Sequence, residues 1–137
     1  MISDATSPFP ILKLKNLVIQ YYPQDQWLFA EWIGKQNFHT VTSGCEILLE
    51  ALKEYNCKKV LNDNSLVTGT WSEAAEWGAE DWFPRMEQAG LKYFAWIYSP
   101  DYYSQMSMDK TLQLFKNTTI VTFPDKSSAS EWLRDQK

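Results

Sequence analysis

The sequence has little cysteine, little histidine and no pattern typical of a metal site. Its 137 residues include 2 cysteines and 1 histidine. Cys45 and Cys57 lack the spacing of a zinc motif, so we expect no metal. Two buried thiols in a reducing compartment are expected, and a structural disulfide is the alternative. His39 lies far along the chain from any candidate nucleophile, so a Ser-His-Asp triad is not expected.

Excess basic charge and long apolar runs are also missing. Lys and Arg number 13 against 17 Asp and Glu, which gives a formal net charge of −4. Nucleic acids and anionic membranes attract clustered Lys and Arg, so neither is expected as a partner. The longest apolar run, residues 93–98, is much too short to cross a membrane, and residues 1–10 lack the pattern of a secretory signal. We therefore predict a cytoplasmic protein without membrane insertion.

Glycine-rich phosphate-binding motifs are absent as well. The sequence contains neither a GxGxxG stretch nor a Walker sequence. No cofactor is therefore expected. The one class of residue in excess is aromatic: seven Trp, seven Tyr and seven Phe make up 15% of the chain. That is more large, rigid side-chain surface than a minimal core of this size requires, so some of it is available for binding.

Hydrophobic periodicity predicts one α/β domain over residues 11–137, preceded by a flexible arm over residues 1–10. The predicted strands cover residues 17–22, 26–35, 58–63, 93–98 and 118–123. The predicted helices cover residues 38–55, 72–89, 101–115 and 125–135. The order ββαβαβαβα indicates an antiparallel hairpin followed by parallel pairing, and so a mixed, mostly parallel five-stranded sheet with four helices. Pro84 predicts a kink in the second helix.

Short stretches along this element order carry a family resemblance. They are Trp32-Ile33-Gly34, the segment from Leu61 to Ser65, and the segment from Pro84 to Lys92. Together with the element order, they resemble the STAS domain, the fold of anti-sigma-factor antagonists, and more closely the small bacterial STAS-like proteins called SpoIIAA-like, whose function is mostly unassigned. The resemblance implies this fold and a non-catalytic regulatory module.

Two signatures of STAS antagonists can be compared with this sequence. Asp63-Asn64-Ser65 matches the Asp-x-Ser that ends their third strand. Ser72 stands where the resemblance places a serine phosphorylated by a partner kinase. Trp71 replaces the acidic residue of that motif and Ala74 replaces its glycine. A bulky ring and an added Cβ beside the hydroxyl both obstruct a kinase, which disfavours a phosphorylation switch.

Polar residues follow two of the predicted strands, at the sheet edge where α/β proteins bind ligands. Asp63, Ser65 and Gly69 lie in one predicted loop, and Asp101 begins the segment after another strand. Amides from Gly69 to Ser72 could hold an anion, and Asp63 and Asp101 could form an acid–base pair. The same residue types also satisfy the backbone of ordinary turns, which is the purely structural alternative.

Four aromatic residues fall outside the predicted strands and the inward helix faces. They are Trp71, Trp77, Tyr102 and Tyr103. With Ser72 they mark the second helix and its adjoining loops as a candidate binding surface, since Trp and Tyr are enriched at interfaces. The alternative is that these rings simply cover the edge of the sheet.

Three functions are compatible with these patterns. The first is a non-catalytic regulatory module that binds a protein partner, or a second copy of itself, through the second helix and adjoining loops. The second is a module that holds a small apolar or lipid-like ligand between the sheet and the helices. The third is a small hydrolase or lyase that uses Asp63 and Asp101, which the scarcity of histidine disfavours.

Overall fold

A single sheet of six strands, in the order β1-β2-β3-β4-β5-β6, forms the centre of the computed structural model, which describes residues 7–117 and 119–137. The strands are β1 Phe9–Lys13, β2 Leu17–Tyr22, β3 Trp27–Lys35, β4 Lys59–Thr68, β5 Tyr93–Ile97 and β6 Ile120–Phe123. The first two pairings, β1 with β2 and β2 with β3, are antiparallel, and the other three are parallel. The predicted mixed, mostly parallel sheet is confirmed, with one more strand than expected.

The helices are α1 Phe38–Glu54, α2 Ser72–Trp77, α3 Phe83–Gln88, α4 Tyr102–Leu114 and α5 Lys126–Asp135. A π-helical segment, Gly78–Trp82, joins α2 to α3 without a break. Residues 72–88 therefore form one composite helix, the predicted second helix. The irregularity lies directly before Pro84, which has no N–H to bond the preceding turn. There the Phe83 N–H bonds to Gly78 O, five residues back.

The extra strand corrects the predicted flexible arm. Phe9 and Pro10 belong to β1, which pairs with β2, and the Phe9 ring stacks on Tyr21 with centroids 6.4 Å apart. Pro8 and Pro10 are typical of a flexible arm. An edge strand nevertheless tolerates Pro10, because the N–H groups on its outer side have no neighbouring strand to bond. Residues 1–6 of the predicted arm lie outside the described residues.

The β4 strand is longer than its predicted bounds of 58–63. It continues to Thr68 because β3 supplies partners along its whole length, including Ile33 for Leu66 and Gly34 for Val67. The pairing passes an irregularity between Glu31 and Ile33, where the register shifts. The β4 strand therefore projects past β5, whose pairing with it ends at Asp63.

Two hydrophobic clusters lie on opposite faces of the sheet. One, which we call the α1 face, holds buried residues of α1, the composite helix and α4 against β2 to β5. The other, the α5 face, is smaller and includes Leu61, Ile97 and Leu133. Because neighbouring residues of a strand point to opposite faces, β4 places Val60 in the first cluster and Leu61 in the second.

Helix α1 lies very close to the sheet at Gly44. A Cβ on Gly44 would stand 2.5 Å from Leu17 Cδ2 and 2.6 Å from Trp32 Cη2, which is closer than van der Waals contact allows. Asn37 begins this helix with a capping box, accepting from Thr40 N while the Thr40 hydroxyl accepts from Asn37 N. The missing side chain at Gly44 lets Trp32 pack directly against the helix backbone.

Candidate ligand-binding cavity

Between the sheet and the composite helix lies a cavity walled by aromatic rings. It offers about 50 Å³ to water-sized molecules, and about 500 Å³ when the open space in front of it is included. The aromatic lining residues are Trp32, Trp71, Trp77, Trp82, Phe83, Phe94 and Trp96. Five of the chain's seven tryptophans thus surround one space, and this accounts for much of the aromatic excess of the sequence.

The sheet side of the cavity carries a short chain of hydrogen bonds. Asn62 and Asn64 are two residues apart on β4, so both side chains point to the α1 face. Trp32 Nε1 donates to Asn62 Oδ1 at 2.9 Å, and Asn62 Nδ2 donates to Asn64 Oδ1 at 3.3 Å. Trp96 on β5 is the register partner of Asn62. The apolar wall therefore contains a polar strip along β4.

The helix side of the cavity is formed by the composite helix. Trp82 is fixed by a hydrogen bond of 2.8 Å from its Nε1 to the carbonyl oxygen of Cys45 on α1. Gly78, four residues earlier, is buried and lines the cavity, and a Cβ built there would have no neighbouring atom within 4 Å. The wall is therefore open at the position where any other residue would place a side chain.

Trp71 is held in the cavity wall by the first turns of α4. Its backbone N donates to Ser107 Oγ at 3.0 Å, and its indole Nε1 donates to Ser104 Oγ at 3.3 Å. The ring is 8% exposed and lies 6.0 Å from the Trp96 ring, measured between centroids. The interpretation of Trp71 as a residue outside the core is therefore wrong. Trp71 lies in a predicted loop, and the sequence does not show that two serines of α4 bind it.

Trp77 lies on the side where the cavity approaches the surface. The ring is half-buried, with its centroid 6.5 Å from that of Phe38, and the Arg85 guanidinium lies 5.9 Å above it. Arg85 in turn makes two 2.7 Å hydrogen bonds to Glu46 and also binds Asp81. The bond to Arg85 holds the pKa of the Glu46 carboxyl below its ordinary value. An ion-paired cluster thus covers Trp77 from outside.

The cavity lining carries no charge at neutral pH. None of the described residues that line it is Asp, Glu, Lys, Arg or His. Cys45 is the one ionisable group among them, and burial raises the pKa of its thiol, so it stays protonated. The Gln36 amide is occupied, since its Nε2 donates to Asn16 O and Ile33 O and its Oε1 accepts from Thr40. The chemistry offered to a ligand is apolar, aromatic and neutral.

The predicted loop residues Asp63 and Ser65 lie within β4, not after it. Asp63 is buried, and its Oδ1 accepts from Ser65 N at 2.8 Å. Strand alternation places Asp63 on the α5 face, whereas Asp101 begins α4 on the α1 face. The sheet therefore separates the two carboxylates that the sequence suggested as a pair.

Asp101, Gly69 and Ser72 take structural positions around the loop that follows β4. The Asp101 carboxylate caps α4 by accepting from Ser104 N at 3.0 Å, and it also accepts from Gly69 N at 3.0 Å. Gly69 has a φ of +77°, which a side chain disfavours. Trp71 is the N-cap of α2, and Ser72 is its first helical residue, with its carbonyl oxygen bound by Lys110 Nζ at 3.3 Å. Together these contacts hold the loop against α4.

Tyr102 and Tyr103 are brought together on the outer surface. They are 67% and 60% exposed, with ring centroids 5.4 Å apart, and Met106 one turn later is also exposed. Of the four aromatic residues predicted to form one binding surface, these two lie free at the start of α4, while Trp71 and Trp77 belong to the cavity wall. The predicted surface is thus divided between two places.

The described residues contain no group of three or more His, Cys, Asp and Glu side chains that could hold a metal ion. Cys45 and Cys57 are free, buried thiols. No helix in the described ranges has both the length and the apolar character needed to cross a membrane.

The sequence alone does not single out the residues that define the cavity. Trp32 and Trp96 lie on predicted strands, and Gly78 and Trp82 lie on the predicted second helix, positions that are typical of ordinary core packing. One signal was available: a glycine between Trp77 and Trp82 on a helix, where alanine would be more stable. Only the tertiary structure shows that this glycine lines the same cavity as Asn62 and Asn64 of β4.

No protein-family model matches the chain, and no curated protein matches its sequence. Among solved structures, the chain is similar to an uncharacterized protein of the DUF3478 family from Shewanella loihica PV-4, described as having a SpoIIAA-like fold. The match has a TM-score of 0.54 at 19% sequence identity, and it covers 97% of this chain and 98% of that one. The likeness concerns the backbone over nearly the whole length. The α/β domain described here therefore has a SpoIIAA-like fold.

Proposed function

We propose that this protein is a non-catalytic module that binds a small, mainly apolar ligand in the cavity between the sheet and the composite helix. The single observation that carries this proposal is Gly78. It is buried in the middle of a helix, it lines the cavity, and a Cβ there would touch no neighbouring atom. The glycine keeps a space free that the fold itself does not need.

The energetics of this position support the proposal. A glycine inside a helix costs about 0.5–1 kcal/mol relative to alanine, because it loses more backbone entropy on folding. Two structural reasons that usually retain a glycine do not apply to Gly78: its φ is −59°, an ordinary helical value, and no neighbour approaches it closely. The π-helical segment that begins at the same residue is a feature often found at functional sites.

The walls indicate the class of ligand. Flat indole and phenyl rings stack well on a flat apolar molecule, and a space of about 50 Å³ admits only a small group. Small-molecule sites span about 300–1,000 Å³, a range reached here only with the space in front of the cavity. We infer a ligand that inserts one small, flat end and leaves the remainder near Trp77.

Benzene is larger than the inner space of about 50 Å³, so it probes that space together with the open space in front of it. In a titration followed by the indole N–H signals of a ¹⁵N-labelled protein, we expect saturable shifts for the tryptophans of the wall, Trp71, Trp82 and Trp96. The indole of Trp27, which lies in the α5-face cluster, serves as the internal control and is expected to stay unchanged. Shifts that grow without saturation, or that affect all tryptophans equally, would contradict the proposal.

A variant that fills the space provides the matched control. Gly78→Leu places an apolar side chain in the cavity, and we expect the saturable benzene shifts to disappear while the protein stays folded. Glu80→Leu adds the same side chain to an exposed position of the same helix and should leave benzene binding unchanged. Binding that survives in Gly78→Leu would place the probe elsewhere and refute the assignment.

A protein-contact surface at the start of α4 is a second candidate function, favoured by the exposure of Tyr102 and Tyr103. In its simplest form the partner is a second copy of the chain, in keeping with the regulatory module that the fold suggests. Light scattering across a dilution series should then show a dimer that dissociates, and replacing both tyrosines by serine should shift it to monomer. A protein that is monomeric throughout would exclude self-association.

We also propose a cytoplasmic location. It is supported by Cys45 and Cys57, which are both free thiols in buried positions. Unpaired thiols of this kind are typical of a reducing compartment. Fractionation of cells that express the protein with a small tag tests this directly.

A further inference from the structure

A second cavity lies at the end of the sheet where β4 and β5 begin, with Lys59 and Tyr93 in its wall. It offers about 470 Å³ to water-sized molecules, within the range of about 300–1,000 Å³ typical of small-molecule sites. None of its lining residues lines the apolar cavity. We call it the lysine pocket, and its lining includes Tyr21, Tyr55, Lys58, Lys59, Tyr93 and Lys137.

The lysine pocket is positively charged, although the chain as a whole carries a formal charge of −4. Lys58, Lys59 and Lys137 line it, and none of the described lining residues is Asp or Glu. The ion pairs formed within the described ranges include none of these three lysines. Cations gathered in one concave space attract anions, so the charge of the pocket selects the class of ligand.

Lys59 is held in place without being neutralised. Its Nζ donates to Leu133 O at 2.8 Å and to Gln136 O at 2.6 Å, and both acceptors are uncharged main-chain carbonyls. An ammonium group has three donors, so one remains for a ligand. Burial lowers the pKa of Lys59; Asp25 opposes this change but is itself paired with Arg134 at 3.2 Å. An anion in the pocket would supply the counter-ion that Lys59 lacks.

Two acidic groups of the lining stay uncharged at neutral pH. The Cys57 Sγ lies 3.3 Å from Gln26 O and from Lys59 O, the acceptors for its hydrogen, and burial raises the pKa of the thiol. Burial also raises the pKa of Tyr21, whose ring stacks on Tyr55 with centroids 4.5 Å apart. A neutral phenol can donate a hydrogen bond to an anion. These groups therefore do not oppose a negatively charged ligand.

The backbone that carries Lys58 and Lys59 is fixed by neighbouring elements. The Lys58 carbonyl oxygen accepts from Lys92 N at 2.9 Å and from Tyr93 N at 3.1 Å, and Cys57 N donates to Leu52 O at 2.9 Å. The two lysines thus start from a preformed segment. A ligand then has to order only the side chains, which lowers the entropy cost of binding.

We infer that the lysine pocket binds a small organic phosphate. A phosphate monoester carries about two negative charges and three acceptor oxygens on one group, which matches several ammonium groups better than a single carboxylate does. The space of about 470 Å³ is larger than a phosphate group needs, so the remainder of the molecule lies beside the tyrosine rings. The inference goes beyond the proposed function, because the two cavities share no residue.

Phenyl phosphate and phenyl sulfate test the inference, because they have nearly the same shape and differ by one negative charge at about pH 8. Dissociation constants are measured at low salt from the backbone N–H shifts of Lys58 and Lys59 in ¹⁵N-labelled protein. We expect saturable shifts and about 2- to 5-fold tighter binding of phenyl phosphate. Equal binding of the two probes would contradict the requirement for a phosphate, and so would inorganic phosphate that binds as tightly as its phenyl ester.

Lys58→Gln removes one charge from an exposed position of the pocket and should weaken phenyl phosphate about 2- to 5-fold. Lys35→Gln is the matched control, since it removes the same charge from an exposed position at the opposite end of β3. It should leave the dissociation constant unchanged. Equal weakening by the two variants would show that binding follows the net charge alone, and it would refute the site.

The test also separates this site from the apolar cavity. Phenyl phosphate should leave the indole N–H signals of Trp71 and Trp82 unchanged, because neither residue lines the lysine pocket. If phenyl phosphate gives no saturable shifts at Lys58 and Lys59, the lysine pocket is not a phosphate site. Benzene binding in the apolar cavity is unaffected by that result, so either proposal can fail alone.

Discussion

Two buried helical glycines, Gly44 and Gly78, adjoin the same group of aromatic rings and differ in what surrounds them. At Gly44 an added Cβ would stand 2.6 Å from the Trp32 ring, and at Gly78 it would meet nothing within 4 Å. The first glycine is required because α1 and the sheet approach closely. The second is not required by packing or by backbone conformation, so the comparison divides the aromatic core into a closed side and an open side.

Most of the buried tryptophans around the cavity are held by specific hydrogen bonds. Trp32 donates to Asn62, Trp71 to Ser104 and Trp82 to Cys45 O, so three of the indoles are fixed in orientation. Trp96 is the exception among the buried tryptophans of the cavity. Packing that fixes three indoles around an unfilled volume is what a preformed binding site needs, since the walls are in place before the ligand arrives.

The largest effect is expected for Gly44→Ala. The new Cβ overlaps Leu17 and Trp32, and both are buried, so the helix or the ring must move. Overpacking of this kind lowers the free energy of unfolding by about 1–3 kcal/mol. Chemical denaturation measures it, with the exposed neighbour Ser43→Ala as control. Equal stability of the two variants would show that α1 has room to shift, and the closed side would not be closed.

The second largest loss of stability is expected for Asp101→Ala, which tests how the loop that carries Trp71 is held. The carboxylate accepts from Gly69 N and from Ser104 N, and alanine removes both bonds. Loss of a helix cap and of this loop contact should lower the free energy of unfolding by about 1–2 kcal/mol. Asp109→Ala, at an exposed position of the same helix, is the control, and Asp101→Asn should retain part of the stability. A near-neutral Asp101→Ala would mean that α4 does not hold this loop.

The fold could be predicted from local patterns because strand and helix periods are local. The stripe through Cys45, Leu48 and Leu52 correctly predicts α1, and the strand over residues 93–98 is confirmed with a difference of one residue at its end. The errors depend on partners elsewhere in the chain. The β1 strand exists because β2 offers an edge to Phe9 and Pro10, and β4 continues beyond Asp63 because β3 pairs with it.

The candidate site was less predictable for a related reason. Tyr102 and Tyr103 are exposed, as their pattern indicated, because the face of a helix can be derived from spacing alone. Trp71 could not be placed in this way, since it lies in a loop whose position is set by serines on α4. A cavity is a space left between elements, so only the assembled structure shows that Gly78 and Trp96 line the same one.

The smallest effect, and the opposite sign, is expected for Gly78→Ala. Its φ and ψ of −59° and −45° are helical, so alanine needs no backbone change, and the Cβ has open space. Replacing glycine by alanine at such a position restricts the unfolded chain and should raise the free energy of unfolding by about 0.4–1 kcal/mol. The measurement is the same denaturation as for Gly44→Ala, and the exposed Glu80→Ala serves as control.

The sign of this change, together with benzene binding, decides among three accounts of the open side. If alanine stabilises the fold and weakens benzene binding, the glycine is retained for the ligand, because natural sequences commonly give up stability where a site needs space. If alanine lowers the free energy of unfolding, neighbouring atoms occupy part of the cavity in solution, and close packing requires Gly78 as it requires Gly44. If alanine stabilises and benzene binding is unchanged, the ligand lies further out, near Trp77, and the inner space is an ordinary packing defect.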